Sequence, residues 1–268
     1  MLLPKSRPPR WTWPLSRVYR GDGFFNALSL AAGLAIWEIL GRSLDLIYLP
    51  PFSNVLRRLV ELTADGRILS DLARSLQNLG LGFGIAAVMG ILVGTLMGRY
   101  TIIERMLDPY VYGFMTSPTI VFAPIYFSIF GLQRWAIVAL IIQYAVFIVV
   151  VNTVTAVKSV DRELLEMAAV FGSNERQRIR KIVLPGALPL IMAGLRLAMG
   201  RAVKGMINGE LLIAVVGLGA TSQSFARAFD AEGVFAVLMV VVVVALVAVK
   251  IVEIVDKRLN GWLPNAQR

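Results

Sequence analysis

Six apolar stretches separated by charged segments organise the chain. They run approximately Phe24–Leu40, Leu79–Met97, Tyr110–Phe130, Trp135–Val157, Leu188–Val215 and Val234–Ile254. A helix needs ~20 mostly apolar residues to cross the hydrocarbon core of a bilayer. The pattern therefore predicts an all-α, polytopic membrane protein of about six transmembrane helices. The first span is short and carries Glu38 near its end. The third contains Pro118 and Pro124. A proline inside a helix removes a backbone donor, so a kinked or broken helix is expected there.

Finer patterning lies between and within the spans. Pro50-Pro51 precede Ser53-Asn54, which predicts a helix cap. Val55, Leu56, Leu59, Val60 and Leu62 then fall on one helical side, with Arg57, Arg58 and Glu61 opposite. An amphipathic helix lying on the outer membrane surface fits, and so does a helix packed on other loops. In the second span Gly82, Ala86, Gly90, Gly94 and Gly98 recur every four residues. Such a stripe of small residues lets another backbone approach closely. The expected partner helix belongs to the same chain, with a second copy as the alternative.

A charged island, residues 163–189, separates the fourth and fifth spans. Its spacing predicts a short helix, a turn at Gly172 that uses a positive φ, and a second helix re-entering the membrane. Pro185 is expected to interrupt that second helix. Leu164, Leu165, Ala168 and Ala169 would present an apolar face to a groove on a partner, and Glu163 and Glu166 would supply charged rim contacts. Arg176, Arg178, Arg180 and Lys181 would sit at the membrane face near anionic headgroups.

Composition narrows the function. Of 268 residues, 57% are hydrophobic, above the ~45–50% of soluble domains. The chain has no Cys and no His. That excludes disulfides, thiolate or imidazole metal sites, and most hydrolase and redox constellations. No metal site and no catalytic residue are expected. The net charge of +10 flanks apolar spans, where the positive-inside rule accounts for it better than nucleic-acid binding does. With a cytoplasmic N-terminus, seventeen Lys and Arg fall inside and seven outside; Arg196, Arg201 and Lys204 make up the 27. Both termini are accordingly expected in the cytoplasm. The first outer loop runs against the bias, with Arg42, Arg57, Arg58, Arg67 and Arg74.

Glu166-Met167-Ala168, Gly172 and Ile182-Val183-Leu184-Pro185 match the pattern E-A-A-x-x-x-G-x9-I-x-L-P, with Met167 in place of the first alanine. This resembles the "EAA" loop of binding-protein-dependent ABC importer permeases. Leu49–Leu56, Gly98–Pro109, Pro118 to Gly131 and Gly217-Leu218-Gly219 follow in order and resemble the nitrate/sulfonate/taurine branch, over residues 30–258. The resemblance implies type I ABC importer permease architecture in a bacterial inner membrane. It divides the chain into a cytoplasmic arm (1–23), a transmembrane permease domain (24–258) with its coupling loop (159–186), and a cytoplasmic tail (259–268). ATPase-coupling residues would be Glu163, Leu165, Glu166, Ala168, Ala169, Gly172, Ile182, Leu184 and Pro185. Implied partners are ABC ATPase subunits, a periplasmic or lipid-anchored solute-binding protein, a second permease copy (a homodimer, or a pair of related permeases), and membrane lipid. No P-loop G-x-x-x-x-G-K-[ST] occurs, so ATP and its Mg are expected on the ATPase partner and no cofactor on this chain.

Arg196, Arg201, Lys204 and Glu210 lie in the fifth span. A charge at the bilayer centre costs on the order of 2.5–3.5 kcal/mol by insertion scales, so these should face protein or water. At 100° per residue Arg201, Lys204 and Asn208 fall within about 60° of one another. Two cations and an amide on one stripe suit a path for a small anion. The candidate translocation path is Arg201, Lys204 and Asn208, with Thr116 and Ser117 beside the Pro118 break. Lys204 stands where the branch resemblance would place an apolar or aromatic residue. Glu210 reads as a structural or gating partner. The expected function is a permease for a small solute such as a sulfonate, nitrate, taurine or related carboxylate; neutral heterocycles remain open. An ion-coupled secondary transporter using Glu38 and Glu210 as proton sites is the alternative.

Overall fold

The structure, a computed structural model, describes residues 22–44, 48–213 and 215–260. The N-terminal cations Lys5, Arg7, Arg10, Arg17 and Arg20, and Arg268 of the tail, lie outside the described residues. The described elements are helices: α1 (Asp22–Ser43), α2 (Phe52–Ala64), α3 (Arg67–Arg99), α4 (Thr101–Thr116), α5 (Ala123–Phe130), α6 (Arg134–Lys158), α7 (Arg162–Val170), α8 (Glu175–Arg178), α9 (Leu184–Ile213), α10 (Gly217–Arg227) and α11 (Ala231–Leu259). A 3-10 turn, Thr119–Phe122, links α4 to α5, and a π-helical turn, Ile179–Val183, links α8 to α9. Two compact units divide at Leu56/Arg57, inside α2.

In the first unit the Pro-Pro turn folds back on α1. A Cβ on Gly41 would lie 2.7 Å from Pro51 Cα, so only glycine permits the approach. Trp37 Nε1 donates to Pro50 O at 3.0 Å, and its ring lies 5.3 Å from that of Phe52. The helix start differs from the sequence expectation. Ser53 lies within α2, and its N–H is donated to Glu38 Oε2 at 2.9 Å. Glu38 also accepts from Ser53 Oγ at 2.9 Å and from Arg42 Nε at 2.6 Å. A carboxylate thus takes a free amide at the positive end of the helix.

In the second unit α6 is the central helix, covered by α3 on one side and α9 on another. The small-residue stripe explains the first contact. Cβ atoms at Gly82, Gly90, Gly94 and Gly98 would lie 2.5, 2.5, 2.6 and 2.8 Å from Ile141, Val149, Thr153 and Val157 respectively. Positions four apart on α3 therefore meet positions mostly four apart on α6, in parallel, and the partner is the same chain. On its other side α6 meets α9 antiparallel. Gly194 backs onto Asn152, Gly205 onto Ile141 and Tyr144, and Gly209 onto Ile137 and Leu140.

Among the described residues five helices are long and apolar enough to cross a membrane. The sixth candidate is the pair α4 and α5, bent by 98° across Pro118, which agrees with the predicted break. The return from the island differs from expectation. Glu175–Ile213 is one 39-residue helical run, and Pro185 does not interrupt it. The π-turn, in which the Leu184 N–H reaches Ile179 O, shifts the hydrogen-bond register just before a residue that has no N–H to offer.

Within the second unit, the part of α2 from Arg57 onward is held against the α10–α11 corner. Arg58 Nη2 donates to Asp230 Oδ2 at 2.9 Å, and this hydrogen bond raises the guanidinium above its usual pKa. Arg58 and Arg67 lie 5.6 and 5.8 Å from the Phe225 ring centroid. The Arg58–Asp230 bond is a packing contact of the kind expected for this amphipathic helix.

Candidate functional site

The island is built from local capping. Asp161 Oδ1 accepts the Glu163 N–H at 2.9 Å and starts α7. At its other end the Gly172 N–H reaches Ala169 O, the Ser173 N–H reaches Ala168 O, and Gly172 has φ +78°. This is the Schellman arrangement, and it needs a residue that tolerates the left-handed region. Asn174 then opens α8 by a capping box. Its Oδ1 accepts the Gln177 N–H, and Gln177 Oε1 accepts the Asn174 N–H, both at 2.9 Å. Three consecutive devices leave the loop few ways to flex internally.

Charge pairs fasten the island to the bundle. Arg99, at the end of α3, grips Glu175 through Nε at 2.5 Å and Nη2 at 3.1 Å. Arg178 Nη2 also reaches Glu175, at 2.7 Å. Lys158 pairs with Glu104, joining the end of α6 to the start of α4.

On α7, Glu163, Glu166 and Ala169 are exposed, while Leu165 and Ala168 are half-buried. Ile182, Leu184 and Pro185 are half-buried around buried Val183. The outward apolar face consists of Leu164, Met167, Val170 and Phe171, the last two 87% and 83% exposed. Its turn-by-turn spacing is present in the sequence, where the EAA pattern instead singles out the alanines. Met167, the departure from the pattern, sits on this face.

At the opposite end of the bundle Glu210 is completely buried. Its Oε2 accepts from Ser75 Oγ at 2.8 Å and from the Gly219 N–H at 3.0 Å. Ser75 Oγ in turn accepts the Leu218 N–H at 3.0 Å. Oε1 has no hydrogen-bond partner within bonding geometry among the described residues, although the buried Asn78 amide bears on the same carboxyl group. Gly217, at φ +88°, leaves room for the carboxyl group, which any Cβ there would strike. Thr221 Oγ1 donates to Asp71, a second tie from α10 to α3. Glu210 is thus a cap for the start of α10.

The cations of α9 divide into two kinds. Arg196 pairs with Asp256 of α11 at 2.6 Å. Arg201 and Lys204 are exposed and have no hydrogen bond or ion pair among the described residues. Asn208 instead turns to α6, its Nδ2 donating to Tyr144 Oη at 2.8 Å. Thr116 and Ser117 donate back to Gly113 O at 3.2 and 2.7 Å, closing the end of α4. No hydrogen bond joins these two to Arg201 or Lys204. A largely apolar cavity of about 370 Å³ lies among α3, α4, α5 and α6, with Met89, Phe114 and Phe147 on its wall. Its polar feature is Tyr126 Oη donating to Gln143 Oε1 at 2.6 Å.

A charged island fastened to one end of a bundle of long apolar helices, with unpaired cations within one of them, defines a polytopic membrane protein. A sequence profile described as "Binding-protein-dependent transport system inner membrane component" matches residues 86–261. The chain is 30% identical over 271 residues to the taurine transport system permease protein TauC of Escherichia coli, covering 98% of this chain and 96% of that protein. It is 33% identical over 208 residues to the formylaminopyrimidine transport permease protein ThiX of Halalkalibacterium halodurans, covering 77% and 83%. Among solved structures it resembles the MetNI methionine ABC transporter in an inward-facing conformation. That match has a TM-score of 0.62 at 18% identity and covers 69% of this chain and 93% of that one.

The chain belongs to the family of binding-protein-dependent inner-membrane transport components. It is the transmembrane permease subunit of an ABC importer, and the ion-coupled secondary transporter falls away.

Proposed function

We propose that this permease imports a small organic oxyanion, of which a sulfonate is the leading case. The observation that carries this reading is the exposed, unpaired pair Arg201 and Lys204 within α9. Facing lipid, each would cost on the order of 2.5–3.5 kcal/mol by insertion scales. The cost disappears if the face lines a water-filled path beside a second permease copy. A guanidinium matches the geometry of an oxyanion, and an ammonium adds a point charge. The taurine relative supports the sulfonate class; the formylaminopyrimidine relative keeps a neutral heterocycle as the competing reading, against which the two free cations argue.

In this reading two permease copies form the pathway. ATPase subunits grip the Leu164, Met167, Val170 and Phe171 face of α7, hold ATP and Mg, and perform the hydrolysis. The termini and the island lie in the cytoplasm. A solute-binding protein loads the opposite end. Arg99 and Glu175 carry ATP-driven movement of the island into α3.

Reconstitution tests this. The permease, the ATPase and the binding protein encoded beside it are placed in proteoliposomes, and uptake of taurine, ethanesulfonate and a neutral pyrimidine is followed. ATP-dependent uptake of a sulfonate supports the proposal. Uptake of the pyrimidine alone overturns the anion assignment.

A further inference from the structure

At the end of the bundle away from the island, a cavity of about 140 Å³ is lined by Arg74, Gln77, Asn78, Arg134 and Val216. Its polar side chains are two guanidiniums and two amides, of which Asn78 is turned to Glu210, and no carboxylate lines it. Arg74 and Arg134 are exposed and have no hydrogen bond or ion pair among the described residues. Asn78 is only 2% exposed and forms a fixed wall, set one turn along α3 from Ser75.

Nearby carboxyl groups are already engaged. Asp71, one turn before Ser75, receives the Thr221 hydroxyl. Glu210 receives Ser75 and the Gly219 amide. The two arginines share a small concave space, and neither forms an ion pair among the described residues.

We propose that this cavity is a binding site for a small oxyanion headgroup such as a sulfonate or sulfate. Arginine forks pair with oxyanions through charge-assisted hydrogen bonds. Pockets for drug-sized ligands run to about 300–1,000 Å³; this one suits a headgroup of a few atoms. The site deepens the reading of the chain as an anion permease, on which its position at the outer mouth rests. It also gives a reason for Arg74 and Arg134 to stand on the side the positive-inside rule disfavours. An occupant would touch α3, the start of α6 and the residue before Gly217, which ties the loading end to the α9–α10 turn.

Equilibrium binding of radiolabelled sulfate to the purified full-length permease, with methanesulfonate as competitor, tests the site. Saturable binding is expected. Arg74→Gln and Arg134→Gln should each raise the half-saturating sulfate concentration about tenfold or more, and Arg227→Gln, another exposed cation of the second unit, should not. Size-exclusion profiles confirm that the variants fold.

No saturable binding to the unsubstituted chain overturns the site. Binding that is unchanged in both variants, or lost equally in Arg227→Gln, does the same. Lost stimulation of ATPase by the binding protein with sulfate binding intact assigns the pair to protein docking and also overturns it. Uptake separates this proposal from the transport reading. ATP-driven sulfonate uptake with unaltered variant binding overturns the site alone. Absence of sulfonate uptake overturns the anion reading, while the binding curves still decide the cavity.

Discussion

Ser75 Oγ donates to Glu210 Oε2 at 2.8 Å, joining residues 135 positions apart. The same hydroxyl oxygen accepts the Leu218 amide, and the Gly219 amide goes to the carboxyl oxygen. One serine and one glutamate thus satisfy two of the donors that a helix start leaves open. They also lock α3, α9 and α10 together at one end. Glu38 does the same for α2 through the Ser53 amide. The two glutamates that suited proton coupling in the sequence are both helix caps.

Capping predicts a graded response at Glu210. Glu210→Ala should lower stability by about 2–3 kcal/mol, because its hydrogen bonds are lost and buried donors are left open. Glu210→Gln, which keeps a carbonyl acceptor, should cost about 1 kcal/mol or less. Thermal unfolding in detergent, read by size-exclusion chromatography, should rank the unsubstituted chain above Gln and Gln above Ala. Equal loss in both variants would contradict a capping role.

The glycine stripe predicts strong position dependence. A Cβ at Gly90 would lie 2.5 Å from Val149 Cβ, whereas one at Gly84 would meet nothing within 4 Å. Gly90→Val should separate α3 from α6 and cost about 1–3 kcal/mol or more by overpacking. Gly84→Ala should leave the yield of folded protein unchanged. Folded yield and unfolding temperature check both.

Gly172 sets the turn of the island. Gly172→Ala should cost about 1–2 kcal/mol of local strain at φ +78° and weaken ATPase association. Gly172→Pro also removes the N–H held by Ala169 O and should abolish co-purification of the ATPase while the chain still inserts. Unchanged co-purification in the proline variant would contradict the docking role.

The Arg99–Glu175 clamp is partly solvated, with about a third of each side chain exposed. Its contribution to stability should be about 1 kcal/mol or less, but its contribution to coupling should be larger. Arg99→Glu should leave ATPase binding intact and reduce uptake per ATP hydrolysed. The exchange Arg99→Glu with Glu175→Arg should restore part of it. A double variant no better than either single one would remove the clamp from the coupling route.

Spacing along the chain revealed what repeats locally. The α6 span, the stripe on α3 and the Gly172 turn were all legible, because each is set by residues within a turn or two. The start of α3 was not. It begins at Arg67 rather than Leu79, because its first turns bury polar Ser75 and Asn78 in the α10 cap. The Arg58–Asp230 bond spans 172 positions, and no periodicity records such a pair. The π-turn before Pro185 was missed for a related reason: proline signals a lost hydrogen bond, and the sequence does not say how the register adapts. Thr116, Ser117 and Asn208 looked available from composition, yet each is committed to a bond within the chain.

The free cations of α9 carry the anion assignment, and uptake by reconstituted importer carrying Lys204→Glu probes them. Reversing a charge on an anion path should reduce ATP-driven sulfonate uptake by about tenfold or more, with ATPase and binding-protein assembly unchanged. Uptake at the unsubstituted rate would place Lys204 off the path and contradict the anion assignment.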